Sequence, residues 1–174
     1  VARRYDLLNH VLSASLDRVW RRKLARALVL PPGSRVLDLC CGTGDQALAL
    51  RRPGIEIVAA DFCLPMLALA APKFQAASRS GAGASGASGA IGASGASGAS
   101  GGRNGLPQPA VLNADALHLP FPDARFHAAT VSFGLRNVAD LVRALAELAR
   151  VLRPGCELGV LEFTVPSWQP LRGL

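Results

Sequence analysis

The stretch Val36-Leu37-Asp38-Leu39-Cys40-Cys41-Gly42-Thr43-Gly44-Asp45 decides how the rest of the chain is read. Val36 to Leu39 has the apolar character of a short buried strand. Gly42 and Gly44 then permit a sharp turn, because a backbone without Cβ accepts positive φ and lets a ligand come close. Ala47-Leu48-Ala49-Leu50 opens a helical pattern directly afterwards. A strand feeding a glycine turn and then a helix is how α/β folds place a small-molecule site at the carboxyl edge of a sheet.

Outward from that stretch, strand and helix patterns alternate. A short helix ends at Arg52-Pro53-Gly54, Ile55 to Ala60 reads as the second strand ending on Asp61, and a helix runs from Pro65 towards Phe74. Ala110 to Asn113 is the third strand, Asp115 to Phe121 a loop with a buried anchor, and Phe126 to Ser132 the fourth strand. Val138 to Leu152 reads as an amphipathic helix, apolar at Leu141, Leu145, Leu148 and Leu152 and stopped by Pro154-Gly155; Glu157 to Phe163 is the fifth strand. This alternation predicts an α/β fold, a Rossmann-like parallel sheet with helices on both faces. Upstream, residues 1–30 read as a helical segment, Tyr5 to Ala14 and then Leu16 to Leu28, closed by Pro31-Pro32-Gly33. In the second helix Leu16, Val19, Trp20, Leu24, Ala27 and Leu28 form an apolar stripe with arginines between them. Packing on the sheet is one use of that stripe, and lying on a membrane surface is the other.

Residues 78–105 are almost wholly glycine, alanine and serine. Such a segment buries too little apolar surface to offset the entropy of ordering it, so it reads as a flexible loop inserted in a single domain spanning residues 1–174. The domain tolerates it, since each doubling of loop length costs only about 0.6 kcal/mol.

Half the residues are hydrophobic, which favours a globular protein. Four cysteines, two of them adjacent at Cys40 and Cys41, form neither a disulfide framework nor a metal-ligand spacing; they read as apolar fillers in a reducing, cytoplasmic protein with no metal site. The net charge of +7 is concentrated early, at Arg3, Arg4, Arg18, Arg21, Arg22, Lys23 and Arg26. No aromatic residues interleave with it, which argues against nucleic acid as a partner and leaves a solvated face or an anionic membrane surface. There is no signal peptide, and Asp61, Pro65 and Pro72 break the apolar runs before any is long enough to cross a bilayer. Nothing in the sequence sets an oligomeric state.

Gly42-Thr43-Gly44-Asp45-Gln46-Ala47 fits G-x-G-x-x-A, and Asp61 stands where a dinucleotide's ribose-binding acid would be. Against a dinucleotide, Asp38 and Asp45 flank the turn, and extra carboxylates repel a pyrophosphate. S-adenosylmethionine carries a sulfonium and an ammonium and no phosphate, and it suits such a site.

Asp38 to Gly44, Asp61, Asp115-Ala116 with Leu119-Pro120-Phe121, and Leu152 to Gly155 resemble in order the motifs of class I S-adenosylmethionine-dependent methyltransferases. Tyr5 to Asn9, Leu37 to Asp45, Ser132-Phe133-Gly134-Leu135-Arg136-Asn137 and Leu161-Glu162-Phe163 narrow the likeness. They resemble the ubiquinone/menaquinone biosynthesis C-methyltransferases, and the Ser-Phe-Gly-Leu-Arg-Asn run is the specific part. The resemblance implies cofactor contacts at Thr43, Asp61, Asp115, Ala116 and Ser132, beside Asp38, Gly42 and Gly44 of the turn. Asp61 would accept the ribose hydroxyls, Asp115 the adenine amino group, and the Ala116 amide would donate to a ring nitrogen; a turn-capping Asp115 and a structural Thr43 are the plainer alternatives.

The implied chemistry is methyl transfer to a ring carbon of a reduced, prenylated quinone, a demethylmenaquinol or a benzoquinol counterpart. Carbon becomes nucleophilic only when a ring hydroxyl loses its proton. Arg136 is expected to stabilise the resulting phenolate and Asn137 to orient the hydroxyl, with a surface ion pair as the other reading of Arg136. His118 and His127 lie poorly for bases, in the adenine loop and inside a strand. His127 stands where the resemblance leads one to expect Asp, so a hydrogen bond beside the fourth strand is lost or remade. The family continues past Leu-Glu-Phe, so the chain ending at Leu174 reads as a fragment lacking the last two strands, with an exposed edge and an incomplete acceptor pocket. A cofactor-binding but catalytically silent fragment, and a methyltransferase for another small molecule, are the competing readings.

Overall fold

The computed structural model describes residues 16–79 and 106–163. The helix expected over Tyr5–Ala14, the Tyr5–Asn9 motif and nearly all of the Gly/Ala/Ser loop lie outside the described residues. In chain order the elements are α1 (Leu16–Ala27), β1 (Arg35–Leu39), α2 (Asp45–Ala49), β2 (Glu56–Asp61), α3 (Leu64–Arg79), β3 (Ala110–Asn113), β4 (Phe126–Ser132), a 3₁₀ turn (Leu135–Asn137), α4 (Leu141–Val151) and β5 (Leu152–Leu161).

Among the described residues the strands form one sheet in the order β3-β2-β1-β4-β5, every neighbouring pair parallel. β1 is central: Val36 lies beside Ile57 on one side and Ala128 on the other. Because side chains alternate across a strand, Val36, Ile57, Ala59 and Ala128 share one face, covered by Ala25 of α1, Ala47 of α2 and Leu67, Ala70 and Phe74 of α3. Leu37, Leu39, Ala129 and Val131 share the other, covered by Ala144, Leu148 and Val151 of α4. A sheet buried on both faces needs strands that are apolar throughout, and that is how β1 and β4 read.

Boundaries differ from the sequence reading where side chains reach the backbone. The C-terminal helix begins at Leu141 and not at Val138, because the Asp140 carboxylate accepts the Arg143 amide at 3.0 Å and caps it there. The helix ends at Val151, and β5 follows directly, with a register irregularity between Phe126 and Ala128 of its partner and Gly155 at φ +78°. α3 runs through Pro72 to Arg79, past both the expected end near Phe74 and the expected loop start at residue 78; the Ser78 hydroxyl donates to the Phe74 carbonyl at 2.9 Å inside its last turn. α2 is a short Asp45–Ala49 helix.

Two helix faces are also rotated from expectation. In α4 the buried residues are Ala144, Leu148 and Val151, while Leu141 and Leu145 are 47% and 37% exposed. In α1 the buried residues are Asp17 and Ala25, continued by Leu28 beyond the helix, while Leu16 and Val19 are exposed. Ala25 and Ala144 are buried in these helices, together with Leu148 in α4, while Leu24 of the expected α1 stripe packs beside Gly159 of β5.

Replacement of Leu148 by Ala is expected to cost about 2–5 kcal/mol of unfolding free energy, and of Leu141 by Ala under about 1 kcal/mol. Urea unfolding of both variants measures the difference; equal losses would put the leucine stripe back at the centre of the interface.

Candidate functional site

The strand order reverses between β1 and β4, and the crevice beyond their carboxyl ends is where such sheets bind ligands. Backbone there is sharply bent. Cys40 and Phe133, which follow β1 and β4, hold φ of 55° and 60°, values that cost a non-glycine residue roughly 1–3 kcal/mol each. Gly42 and Gly44 lie at φ 55° and 84°, and the Gly44 amide closes the turn on the Cys41 carbonyl at 2.9 Å. Gly44 is also a contact requirement, since a Cβ there would meet the Phe74 ring of α3 at 2.4 Å. Gly134 is a second: a Cβ would stand 2.3 Å from that of Cys40. The turn is thus clasped between α3 and the segment following β4.

A cavity of about 670 Å³ opens over this turn. Of the residues singled out from sequence, Gly42, Thr43, Asp61, Asp115, Ala116, Ser132 and Asn137 line it. Asp61 Oδ2 accepts the Gly42 amide at 2.8 Å and Oδ1 the Cys63 amide at 2.8 Å, so the carboxylate ending β2 sits against the glycine turn in a shared cavity. Asp115 Oδ1 accepts the Leu117 amide at 2.9 Å, so this residue caps a turn and faces the cavity at once. Its loop is locked to α4 by Arg150, which donates to the Leu119 and Phe121 carbonyls at 3.0 and 2.8 Å and to Glu147. Thr43 Oγ1 accepts from Lys73 Nζ at 3.1 Å, and Lys73 pairs with Asp45 at 2.8 Å. The Ser132 hydroxyl donates to Gln46 Oε1 at 3.3 Å.

Three residues lie apart from the lining. Gly44 is beneath the turn, and Asp38 is wholly buried under it. Arg136 is directed at Glu162, 3.7 Å away, and packs on the Phe133 and Phe163 rings, with its carbon 5.9 and 5.3 Å from their centroids. His118 is exposed beside Arg143, and His127 Nδ1 accepts the Arg35 amide at 2.9 Å. Burial, and then the neighbouring carboxylates, push the Cys40 thiol up to about 12 and raise that of Cys41 as well, so neither is a thiolate at neutral pH.

The model of the ubiE/COQ5 methyltransferase family matches residues 1–82 and 100–173. The chain belongs to that family. A demethylmenaquinone methyltransferase of a Parafrankia species is 55% identical over 99% of this chain and 63% of its own length. The protein of that name from Thermus thermophilus is 45% identical over 95% of this chain and 64% of its own. The chain therefore spans somewhat under two thirds of the relatives it matches. A solved SAM-dependent methyltransferase from Aquifex aeolicus, 18% identical with a TM-score of 0.60 over 86% of this chain and 66% of that one, shares the fold.

Within this ubiE/COQ5-family chain, sequence reasoning passed over two lining residues, Asp17 and Arg21 of α1. Arg21 was counted only among the basic residues of the helix, and Asp17 was not singled out. Their spacing of one helical turn was the available signal, and they form an ion pair at 3.8 Å. The lining therefore carries the carboxylates of Asp17, Asp45, Asp61 and Asp115 against the single guanidinium of Arg21, among the described residues.

Asp38 lies beneath this charge. Thr130 donates to its Oδ1 at 2.8 Å, while Oδ2 and the nearby Gln46 Nε2 are buried without a hydrogen-bond partner among the described residues. Burial raises its carboxyl from 3.8 to about 7, with the Thr130 bond and the Arg21 charge acting the other way. Between those two values the folded chain holds a proton that the unfolded chain has lost, so the stability contribution of this group falls as pH rises towards 7 and is level above it. The Asp38→Asn variant lacks this slope. Urea unfolding at pH 5 and 8 is expected to shift in the variant's favour, by at most about 1.4 kcal/mol per pH unit inside that window; parallel pH profiles would mean that Asp38 is ionised throughout.

Proposed function

We propose that this chain binds S-adenosylmethionine and carries out C-methylation of a reduced prenylated quinone, a demethylmenaquinol or its benzoquinol counterpart, as part of menaquinone or ubiquinone biosynthesis. One observation carries the donor: the Asp61 carboxylate, 2.8 Å from the Gly42 amide, shares with Asp115 a cavity rich in carboxylates. That charge balance disfavours a pyrophosphate and suits a sulfonium with an ammonium. Membership of the family and the name of the relatives support the acceptor.

Asp61 would hold the ribose. A carboxylate offers about four lone-pair sites, and two amides occupy only part of them, leaving acceptors for two hydroxyls. Asp115 would accept from the adenine amino group and the Ala116 amide would donate to a ring nitrogen, on a loop that Arg150 keeps in place. Thr43 and Ser132 would close the site from the turn and from the end of β4. S-adenosylmethionine would supply a methyl group, its bond to sulfur breaking as the bond to the ring carbon forms; that carbon then loses its proton, which restores the aromatic ring and leaves S-adenosylhomocysteine. Asn137 lines the cavity and would orient the ring hydroxyl. Arg136 would favour the phenolate, its 3.7 Å pair with Glu162 leaving further N–H donors of the guanidinium available. Holding the two reactants in line in a dry cleft is worth an effective molarity of roughly 10⁵–10⁸ M.

The position of Arg136 outside the cavity lining also favours a second reading, a donor-binding chain without catalysis. Two measurements decide. Asp61→Ala is expected to weaken S-adenosylhomocysteine binding by about 1.5–3 kcal/mol in calorimetry; unchanged affinity, or preference for NADH, would end the donor reading. Methyl transfer to a short-chain demethylmenaquinol, lost in Arg136→Gln with donor binding intact, is expected of the enzyme; its absence in the parent chain leaves the silent binder.

A prenylated acceptor resides in a bilayer, and the chain is proposed to work in the cytoplasm at the membrane surface. No helix among the described residues is long and apolar enough to cross one. The exposed Arg18, Arg22, Lys23 and Arg26 of α1, with Leu16 and Val19 beside them, would meet anionic headgroups at about 1 kcal/mol per basic residue. Flotation with anionic vesicles is expected at low salt and to be lost at high salt; flotation with neutral vesicles alone would refute the contact.

A further inference from the structure

The two ends of the cavity differ in charge. Beyond β2 and β3 its charged side chains are Asp61 and Asp115. At the β4 end α1 closes it with Asp17 and Arg21, and Arg21 is the one basic side chain in the lining among the described residues. The Arg21 guanidinium carbon stands 5.2 Å from the centroid of the Phe133 ring, at the end of β4. Its Nε is buried, 3.8 Å from Asp17 Oδ2, and makes no hydrogen bond among the described residues.

We propose that Arg21 binds the carboxylate of the donor's α-amino-acid end and thereby sets which way round the donor lies. The inference rests on the donor reading above and adds to it the residue that holds the amino-acid end. A free carboxylate entering a cavity lined by Asp17, Asp45, Asp61 and Asp115 is repelled wherever those groups dominate. Arg21 is the place where it is attracted. A guanidinium offers a planar fork of donors that matches a carboxylate in two bonds, and partial exclusion of water strengthens both. Asp17 beside it balances the ammonium carried on the same carbon. With that end held at β4, the nucleoside extends over Asp61 and Asp115, and the sulfur lies between, over the bend at Cys41 and Gly42. Reversed, the amino-acid carboxylate would face Asp61 and Asp115 with no cation near.

The test compares S-adenosylhomocysteine with two ligands that lack the charge in question: its carboxyl methyl ester, and 5′-deoxy-5′-methylthioadenosine, which lacks the whole amino-acid end. Calorimetry on the parent chain is expected to show the ester binding about ten- to a hundred-fold more weakly than S-adenosylhomocysteine. Arg21→Met is expected to lower S-adenosylhomocysteine affinity by the same factor, with Arg21→Lys recovering part of it. Methylthioadenosine affinity should stay within about twofold across all three chains, which also shows that the variants fold. Equal binding of ester and acid by the parent chain overturns the proposal. So does a fall in both nucleosides together in Arg21→Met, which would mean that Arg21 only packs α1 on the sheet. So does a loss of methyl transfer with donor binding unchanged, which would assign Arg21 to the acceptor. Failure of the parent chain to bind either nucleoside refutes the donor reading itself, a result distinct from these three.

Discussion

A hydrogen bond from the Gly42 amide to the Asp61 carboxylate joins the turn after β1 to the end of β2, and the site is built around it. The bond brings a charge from one strand to the bend of the next. It holds only because the bend itself is clasped: Gly44 admits the Phe74 ring on one side, and Gly134 admits Cys40 on the other. With the turn pinned at three places, the surroundings sustain positive φ at Cys40 and Phe133, conformations that neither residue would keep in isolation. The glycines of the Gly-Thr-Gly turn and of the Ser-Phe-Gly run thus serve one object, the close contact of two strand ends.

Charge follows from that geometry. Strand ends at β1, β2 and β3 each deliver a carboxylate to the same region, with Asp38 beneath, Asp61 at the rim and Asp115 beyond it. Such a concentration is costly unless a cation arrives or a group stays protonated. Asp38, shut away from water, takes the second course, with a carboxyl raised to about 7. Asp61 and Asp115 line the cavity itself, and Arg21 is the one basic side chain in its lining among the described residues.

The α/β class, the five described strands and the position of the turn were legible because hydrophobic runs and glycine punctuation are local properties. Helix rotation was less so. In α1 and α4 the largest side chains marked a stripe, yet part of it, Leu16, Val19, Leu141 and Leu145, is exposed, and Ala25 and Ala144 are buried in its place. Periodicity reports that a face exists; the depth of the groove it enters decides which residue is at its centre. Arg21 was hidden for the same reason, since in sequence it is one of several basic residues on a helix, and only the packing of α1 against α2 and β5 brings it beside Phe133.

The succession of strands and helices along the chain, the carboxylates at the strand ends and the likeness to a methyltransferase family are all legible in the residue string, because each is carried by residues adjacent in the chain. Tertiary structure alone decided that Asp61 grips Gly42, that Asp17 and Arg21 close the cavity, and that Arg136 turns to Glu162 and the aromatic pair. These are meetings of groups far apart in sequence, and their distances depend on helix rotation and crossing, which side-chain volumes set and no local pattern records.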